Sequence, residues 1–315
     1  MPARSWLRIL MGSALLIACV AAFPTQAQVP AENQCQAREV SHAVRIADCS
    51  AVIDAGTAAG RTLAIAHCNR GFALTETNEY ERARSDFDAG IAIDPTYPCL
   101  YSNRGRVFGF KGDHDRAIAD YTEALRLDPQ FVIALNNRGD SYLKTMSYDR
   151  AIADFSEAIR INPNYAAAYD NRGYAHALKR DYRAAIADYT RAIELKPNDA
   201  MVFIRRGNAY RDIDDLDRAA ADYGKVIALT PDRPEGWRNR GLIRLFKGDN
   251  KGGIADYDKA IRLDPSDAYS WNNRGQAKLR AGDRKGAIAD FRKVLELRPD
   301  LTQVRQTLRE LGVKL

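Results

Sequence analysis

The sequence predicts an all-α solenoid of stacked antiparallel helix pairs, and three observations carry that prediction. Glycine recurs as Gly71, Gly105, Gly139, Gly173, Gly207, Gly241 and Gly275, each 34 residues after the last. Proline keeps the same beat as Pro95, Pro129, Pro163, Pro197, Pro231, Pro265 and Pro299. Between these marks each unit carries two runs with the i, i+4, i+7 apolar spacing of a helix face. A helix pair of this length cannot bury its apolar face alone, whereas pairs stacked in series bury it along a continuous core.

Taken from the start of the chain, residues 1–27 read as an export signal. Arg4 and Arg8 precede an apolar stretch from Ile9 to Phe23, Pro24 breaks it, and Thr25-Gln26-Ala27 offers small residues for cleavage after Ala27. Leu16-Ile17-Ala18-Cys19 resembles a lipobox, so lipidation at Cys19 is the rival reading. The apolar run continuing past Cys19 through Phe23 argues against it. Residues 28–63 form an N-terminal arm and a capping helix. Val40 to Ile53 looks like the second helix of a pair, with Ala47-Asp48-Cys49 standing where Ala153-Asp154-Phe155 stands later. Cys49 precedes Phe87 by 38 residues, not 34, which places a four-residue insertion within Asp54 to Gly60.

Seven repeats fill residues 64–301. Counting from Ala64 as position 1, helix A carries a large residue at position 4: Tyr101, Leu135, Tyr169, Phe203, Trp237 and Trp271, with His67 in the first copy. The glycine falls at position 8 and gives a neighbouring helix room to approach. Asp113, Ser147, Asp181, Asp215, Asp249 and Asp283 at position 16 are N-cap residues for helix B. Helix B has a small residue at position 20, an aromatic at position 24 (Phe87, Tyr121, Phe155, Tyr189, Tyr223, Tyr257, Phe291) and a small residue again at position 27. Proline at position 32 stops the helix. Residues 302–315 form a C-terminal capping helix, with Leu301, Val304, Leu308 and Leu311 as its apolar stripe.

Large at 4, Gly at 8, Ala at 20, aromatic at 24, Ala at 27 and Pro at 32 together resemble the tetratricopeptide repeat, here in a bacterial exported form. The resemblance covers residues 64–301 without a gap. It implies a right-handed superhelical solenoid, close to one superhelical turn, that binds a protein or peptide in its concave groove. It also implies that positions 2, 5, 9, 12 and 13 line that groove. Repeats five and six place Met201, Ile204, Leu242, Leu245 and Phe246 there, beside Asn208, Arg211 and Arg238. Apolar residues at such positions suggest a partner patch with polar anchors. Filling against one another inside a tight superhelix is the structural alternative. Asn103, Asn137, Asn171, Asn239 and Asn273 match position 6 of the family's carboxylate clamp, but its basic partners are missing except Arg238, so no clamp for C-terminal peptides is expected.

Arginine stands at position 7 and aspartate at position 23 in every copy, from Arg70 and Asp86 to Arg274 and Asp290. One acid per base predicts a ladder of structural Arg–Asp pairs rather than a line of ligand-binding charges. Arg138-Gly139-Asp140 spells an adhesion tripeptide only because the repeat puts it inside helix A. Cys35, Cys49, Cys68 and Cys99 all follow the signal, and in an oxidising compartment their even number suggests two disulfides among three pairings. The resemblance puts Cys68 and Cys99 on neighbouring A helices, making a Cys68–Cys99 bridge sterically plausible and leaving Cys35–Cys49 to pin the arm.

The formal charge is +6, falling to +4 once the signal leaves, with no block of like charge. A nucleic-acid binder would gather its basic residues on one face, so no nucleic acid is expected. The four histidines lack metal-ligand spacing, and neither a phosphate loop nor a nucleophile elbow occurs. The sequence therefore predicts a periplasmic or secreted, non-catalytic scaffold. It would have no cofactor, metal or small-molecule substrate, and no transmembrane span after signal removal. A structural role in an envelope complex, using the convex face or end caps, is the alternative, and an enzyme is less expected still.

Overall fold

Each helix begins and ends where local chemistry requires it. The computed structural model describes Cys35 and residues 40–314. The signal segment, with cleavage after Ala27 or lipidation at Cys19, lies outside the described residues. Among the described residues there are sixteen helices and no strand. Helix α1 (His42–Asp54) leads seven pairs and α16 (Thr302–Glu310) closes them. The A helices are α2 (Gly60–Glu76), α4 (Pro98–Phe110), α6 (Val132–Lys144), α8 (Ala166–Leu178), α10 (Ala200–Asp212), α12 (Pro234–Phe246) and α14 (Ala268–Arg280). The B helices are α3 (Tyr80–Ile93), α5 (His114–Leu127), α7 (Tyr148–Ile161), α9 (Tyr182–Leu195), α11 (Leu216–Leu229), α13 (Asn250–Leu263) and α15 (Arg284–Leu297).

The turn between A and B is the same in each repeat. Position 16 sends its N–H back to the carbonyl of position 11, as Asp113 does to Phe108 at 2.9 Å. That six-to-one bond needs a left-handed residue at position 15. Gly112, Gly248 and Gly282 supply it without strain, but Asn78, Met146, Arg180 and Asp214 also adopt positive φ there. Position 16 then caps helix B. Asp113, Asp181, Asp215, Asp249 and Asp283 each accept an N–H from the first turn, whereas Ser147 caps by position alone. Position 31, before each proline, is held near φ −137°, as at Asp128 and Asp264.

The position-24 aromatics pack against the position-8 glycines of their own pairs. A Cβ on Gly139 would lie 2.6 Å from Phe155 Cε1, and one on Gly71 2.7 Å from Phe87 Cε1. Burying each such ring stabilises the fold by roughly 1.5–3 kcal/mol. The ladder runs beside these rings. In all seven repeats the arginine Nε and Nη2 clasp both oxygens of its aspartate, as Arg206 does to Asp222 at 2.8 and 2.7 Å. Every one of these aspartates is buried. Arginine Nη1 also reaches position 25 of the preceding repeat, taking Asp88, Thr122, Ser156, Thr190 and Asp258 as acceptors. Each such arginine therefore ties two repeats together.

At the N-terminal end α1 takes the place of a preceding helix B. Its Ser50 accepts from Arg70 Nη1 at 3.0 Å, and its Cys49, fully buried in the aromatic slot, is joined to Cys35. The four extra residues lengthen α2 to 17 residues by one turn at its start, Gly60 to Leu63, at the edge of the segment Asp54 to Gly60 where the insertion was expected. At the other end Val304 and Leu308 of α16 are buried against Phe291 and Val294.

Consecutive A helices touch along most of the stack, whereas consecutive B helices do not. The A helices thus lie on the inside of the curve and form the groove wall.

Candidate functional site in the groove

The inner face of each A helix carries positions 2, 5, 6, 9 and 13, and their side chains decide what the groove can hold. Ten large apolar residues are exposed among the described residues, and seven of them occupy three of these positions. Ile133, Met201 and Tyr269 stand at position 2, Tyr174 at position 9, and Phe110, Leu178 and Phe246 at position 13. Met201 is 50% and Phe246 57% exposed. This concentration on one face is not what a solvated surface needs.

Between α10 and α12 the contact of neighbouring A helices falls away. A cleft of ≈ 410 Å³ opens there, lined by Met201, Ile204, Val226, Thr230, Arg233 and Glu235 among others. A second cleft, ≈ 440 Å³, lies between α4 and α6 and is lined by Arg106, Phe110, His114, Tyr121, Asn137 and Lys144 among others. In that stretch Arg106 lies over both Phe72 and Phe110, with its charge met by Glu76 at 2.6 Å.

The eight groove residues expected from the sequence differ in exposure and in partners, and two of them line a cleft. Met201 and Ile204 line the first cleft. Asn208 accepts from Tyr223 Oη at 2.7 Å, and Arg211 is engaged by Asp212 on its own helix. Arg238 reaches Asp267 at only 3.5 Å and lies 5.9 Å from the Tyr269 ring centroid. Leu242 is half-buried and Phe246 exposed. Leu245 departs from expectation: it is buried with Tyr257 and Ala277, and a Cβ on Gly253 would lie 2.6 Å from it. The reason is helical geometry. Position 12 follows the position-8 glycine by four residues, so it shares the face that meets helix B.

Position 5 of one repeat faces position 6 of the next. Asn103 Nδ2 donates to Cys68 Sγ at 3.4 Å, Asn171 Nδ2 to Asn136 Oδ1 at 3.0 Å, and Arg205 pairs with Asp170. Burial nevertheless holds the Asp170 carboxyl above the usual range, against the pull of Arg205. Cys68 and Cys99 lie in one apolar cluster but are free thiols, against the bridge expected between them. Each sulfur has its own hydrogen-bond partner, Asn103 for Cys68 and Tyr97 for Cys99. Burial pushes the Cys68 thiol up to about 12 and raises that of Cys99. Thiols held so high are poor nucleophiles.

The sequence placed Tyr257 among the core aromatics, and a comparison of position 9 between copies reads Asn208 beneath Tyr223 but Leu242 beneath Tyr257.

Among the described residues no group of three or more His, Cys, Asp or Glu is placed to hold a metal. No helix among them is long and apolar enough to cross a membrane.

Family models for the tetratricopeptide repeat match residues 64–97, 103–166, 166–199, 204–268 and 239–301. No curated protein sequence matches the chain. Among solved structures, the C-terminal part of a TPR repeat-containing protein from Cytophaga hutchinsonii aligns with TM-score 0.64 and 20% identity, covering 79% of this chain and 100% of that one. A tetratricopeptide repeat protein from Parabacteroides merdae aligns with TM-score 0.56 and 18% identity over 78% and 98%. YrrB, described as a TPR protein with an unusual peptide-binding site, aligns with TM-score 0.51 and 23% identity over 58% and 95%. At these identities the structural likeness establishes the fold.

Proposed function

The chain belongs to the tetratricopeptide repeat family, and on that premise we propose that it is an exported scaffold that binds a protein or peptide partner through its concave groove. The repeat fold is that of a protein-interaction scaffold, a role that needs no catalysis. The observation carrying the groove reading is the gathering of exposed Ile133, Tyr174, Met201, Phe246 and Tyr269 on the inner face of the A helices. Apolar surface left in water at about 25 cal/mol per Å² is a standing cost that a partner removes. A rigid A-helix wall also needs little ordering on binding, which lowers the entropic cost of association.

Two features support export to the periplasm or beyond. Residues 1–27 have the layout of a secretory signal, and the Cys35–Cys49 disulfide is a bond that persists in oxidising compartments. Cys49 stands in the aromatic slot of α1, so its bond to Cys35 has a structural task, sealing the open end of the solenoid.

The test is a crosslinked pull-down from the envelope fraction with wild type and the Arg238→Ala/Phe246→Ala double variant. A specific protein captured by wild type and lost in the variant supports the groove. Equal capture by both moves the binding surface to the convex face or an end cap.

A further inference from the structure

On the outer face of the B helices the repeat fixes position but leaves the sign of charge open. Positions 18, 22, 25, 26 and 29 fall within about 100° of one another around the helix, opposite the buried positions 20, 24 and 27. In the first three repeats position 18 is Glu81, Asp115 and Asp149, and position 26 of the second and third is Glu123 and Glu157. In the last two repeats the same positions are Lys251 and Lys285, and Lys259 and Lys293. Arg262 at position 29 and Arg292 at position 25 join them. Residues 234–315 hold 18 Lys and Arg against 11 Asp and Glu, whereas residues 28–233 hold 27 against 30. No run of like charge marks this basic end, because helix and stack, not adjacency in the chain, bring its residues onto one face.

Lys251, Arg262, Lys285 and Arg292 are exposed and Lys259 is half-buried, and none of the five has an acidic partner among the described residues. The acids beside them are engaged. Asp258 holds Arg274, Glu296 holds Lys293, and Asp249 and Asp283 cap their own helices. At positions 18 and 26 of the earlier repeats Glu81, Glu123, Asp149, Glu157 and Asp217 each hold a Lys or Arg of this chain. Among the described residues a second copy therefore offers only Asp115 as a free acid at these positions. None of the exposed large apolar residues lies on α13 or α15, so the face lacks the anchors on which protein interfaces depend. Exposed Ala255 and Ala289 at position 22 add no relief between the charges.

We infer that the outer face of α13 and α15 docks on the surface of an anionic phospholipid bilayer. Lipid phosphates present a plane of negative charge that requires neither a cavity nor an apolar anchor. Each Lys or Arg held near such a plane raises affinity about fivefold. Export, as proposed above, brings the chain to phospholipid and away from nucleic acid. The groove is walled by the A helices on the other side of the stack, so a docked molecule keeps it open to a partner.

The test is flotation of the protein recovered from the exported fraction with two kinds of vesicle. One is phosphatidylcholine alone, and the other is phosphatidylcholine and phosphatidylglycerol in equal parts. Wild type is expected to float with the anionic vesicles in preference to the neutral ones. About 1 M salt, where the screening length falls to about 3 Å, is expected to release it. Lys251→Gln/Arg262→Gln/Arg292→Gln is expected to weaken binding about a hundredfold with an unchanged thermal midpoint. Arg262→Lys/Arg292→Lys, which keeps the charge, binds as wild type does. So does Arg126→Gln/Arg160→Gln/Arg191→Gln, which removes as much charge from the outer face of the second to fourth repeats. No binding to anionic vesicles, or equal binding to both kinds, overturns the docking face. Equal loss in the two glutamine variants overturns it as well, by assigning the attraction to net charge. Tighter binding to duplex DNA than to anionic vesicles at the same salt overturns it in favour of nucleic acid.

Discussion

Arg172 Nη1 donates to Ser156 Oγ at 3.0 Å, sixteen residues back in the preceding repeat, while Nε and Nη2 of the same guanidinium hold Asp188. One side chain thus closes its own helix pair and fastens that pair to its neighbour. Replacing Arg172 with alanine strands the buried Asp188 carboxylate and severs the tie. The expected loss is about 3 kcal/mol in denaturant unfolding, the size found when one partner of a buried ion pair is removed. An unchanged unfolding midpoint would remove the ladder from the account of stability.

The ladder has one incomplete rung of this kind. Arg240 clasps Asp256, but position 25 of the preceding repeat is Gly224, which offers no side chain. A Cβ at Gly224 meets nothing within 4 Å. Gly224→Ser should therefore raise stability by about 1 kcal/mol, through helix propensity and a new acceptor for Arg240 Nη1. Gly224→Ala separates the two contributions, since it keeps the first and lacks the second.

Met146 occupies the left-handed turn position with φ 59° and a side chain 74% exposed. A β-carbon there costs roughly 1–2 kcal/mol that glycine avoids. Met146→Gly is expected to stabilise the fold by about 1 kcal/mol, less whatever entropy glycine adds to the unfolded chain. Thermal unfolding of the pair measures the sign directly.

Acid should act on the first rung in a definite direction. Burial of Asp86 raises its carboxyl, but hydrogen bonds from Arg70 and His67 outweigh that and hold it below its ordinary value of 3.8. A depressed folded-state value means the stabilisation is present above pH 3.8 and lost as the pH falls through the folded value. The stability gap between wild type and Asp86→Asn should hold constant from neutral pH down to about pH 5 and close below 3.8. A gap that widens on acidification would contradict the assignment.

What the sequence made legible is what repeats. The position-7 arginines, position-23 aspartates, position-16 caps and position-24 aromatics each recur under one geometric demand, so spacing alone located them. The left-handed turns at Met146 and Arg180 escaped because neither residue type advertises positive φ; the six-to-one bond imposes it. Leu245 was misplaced because a consensus list of lining positions ignored that position 12 shares a face with Gly241.

Site-specific photo-crosslinking in cells producing the protein tests the central claim most directly. A benzoylphenylalanine is placed at Met201 or Phe246 on the groove wall, and in parallel at Lys225, exposed on the outer helix α11. The account predicts a discrete partner adduct from the two groove positions and none from Lys225. An adduct from Lys225 with none from Met201 or Phe246 would contradict it and assign the binding surface to the convex face.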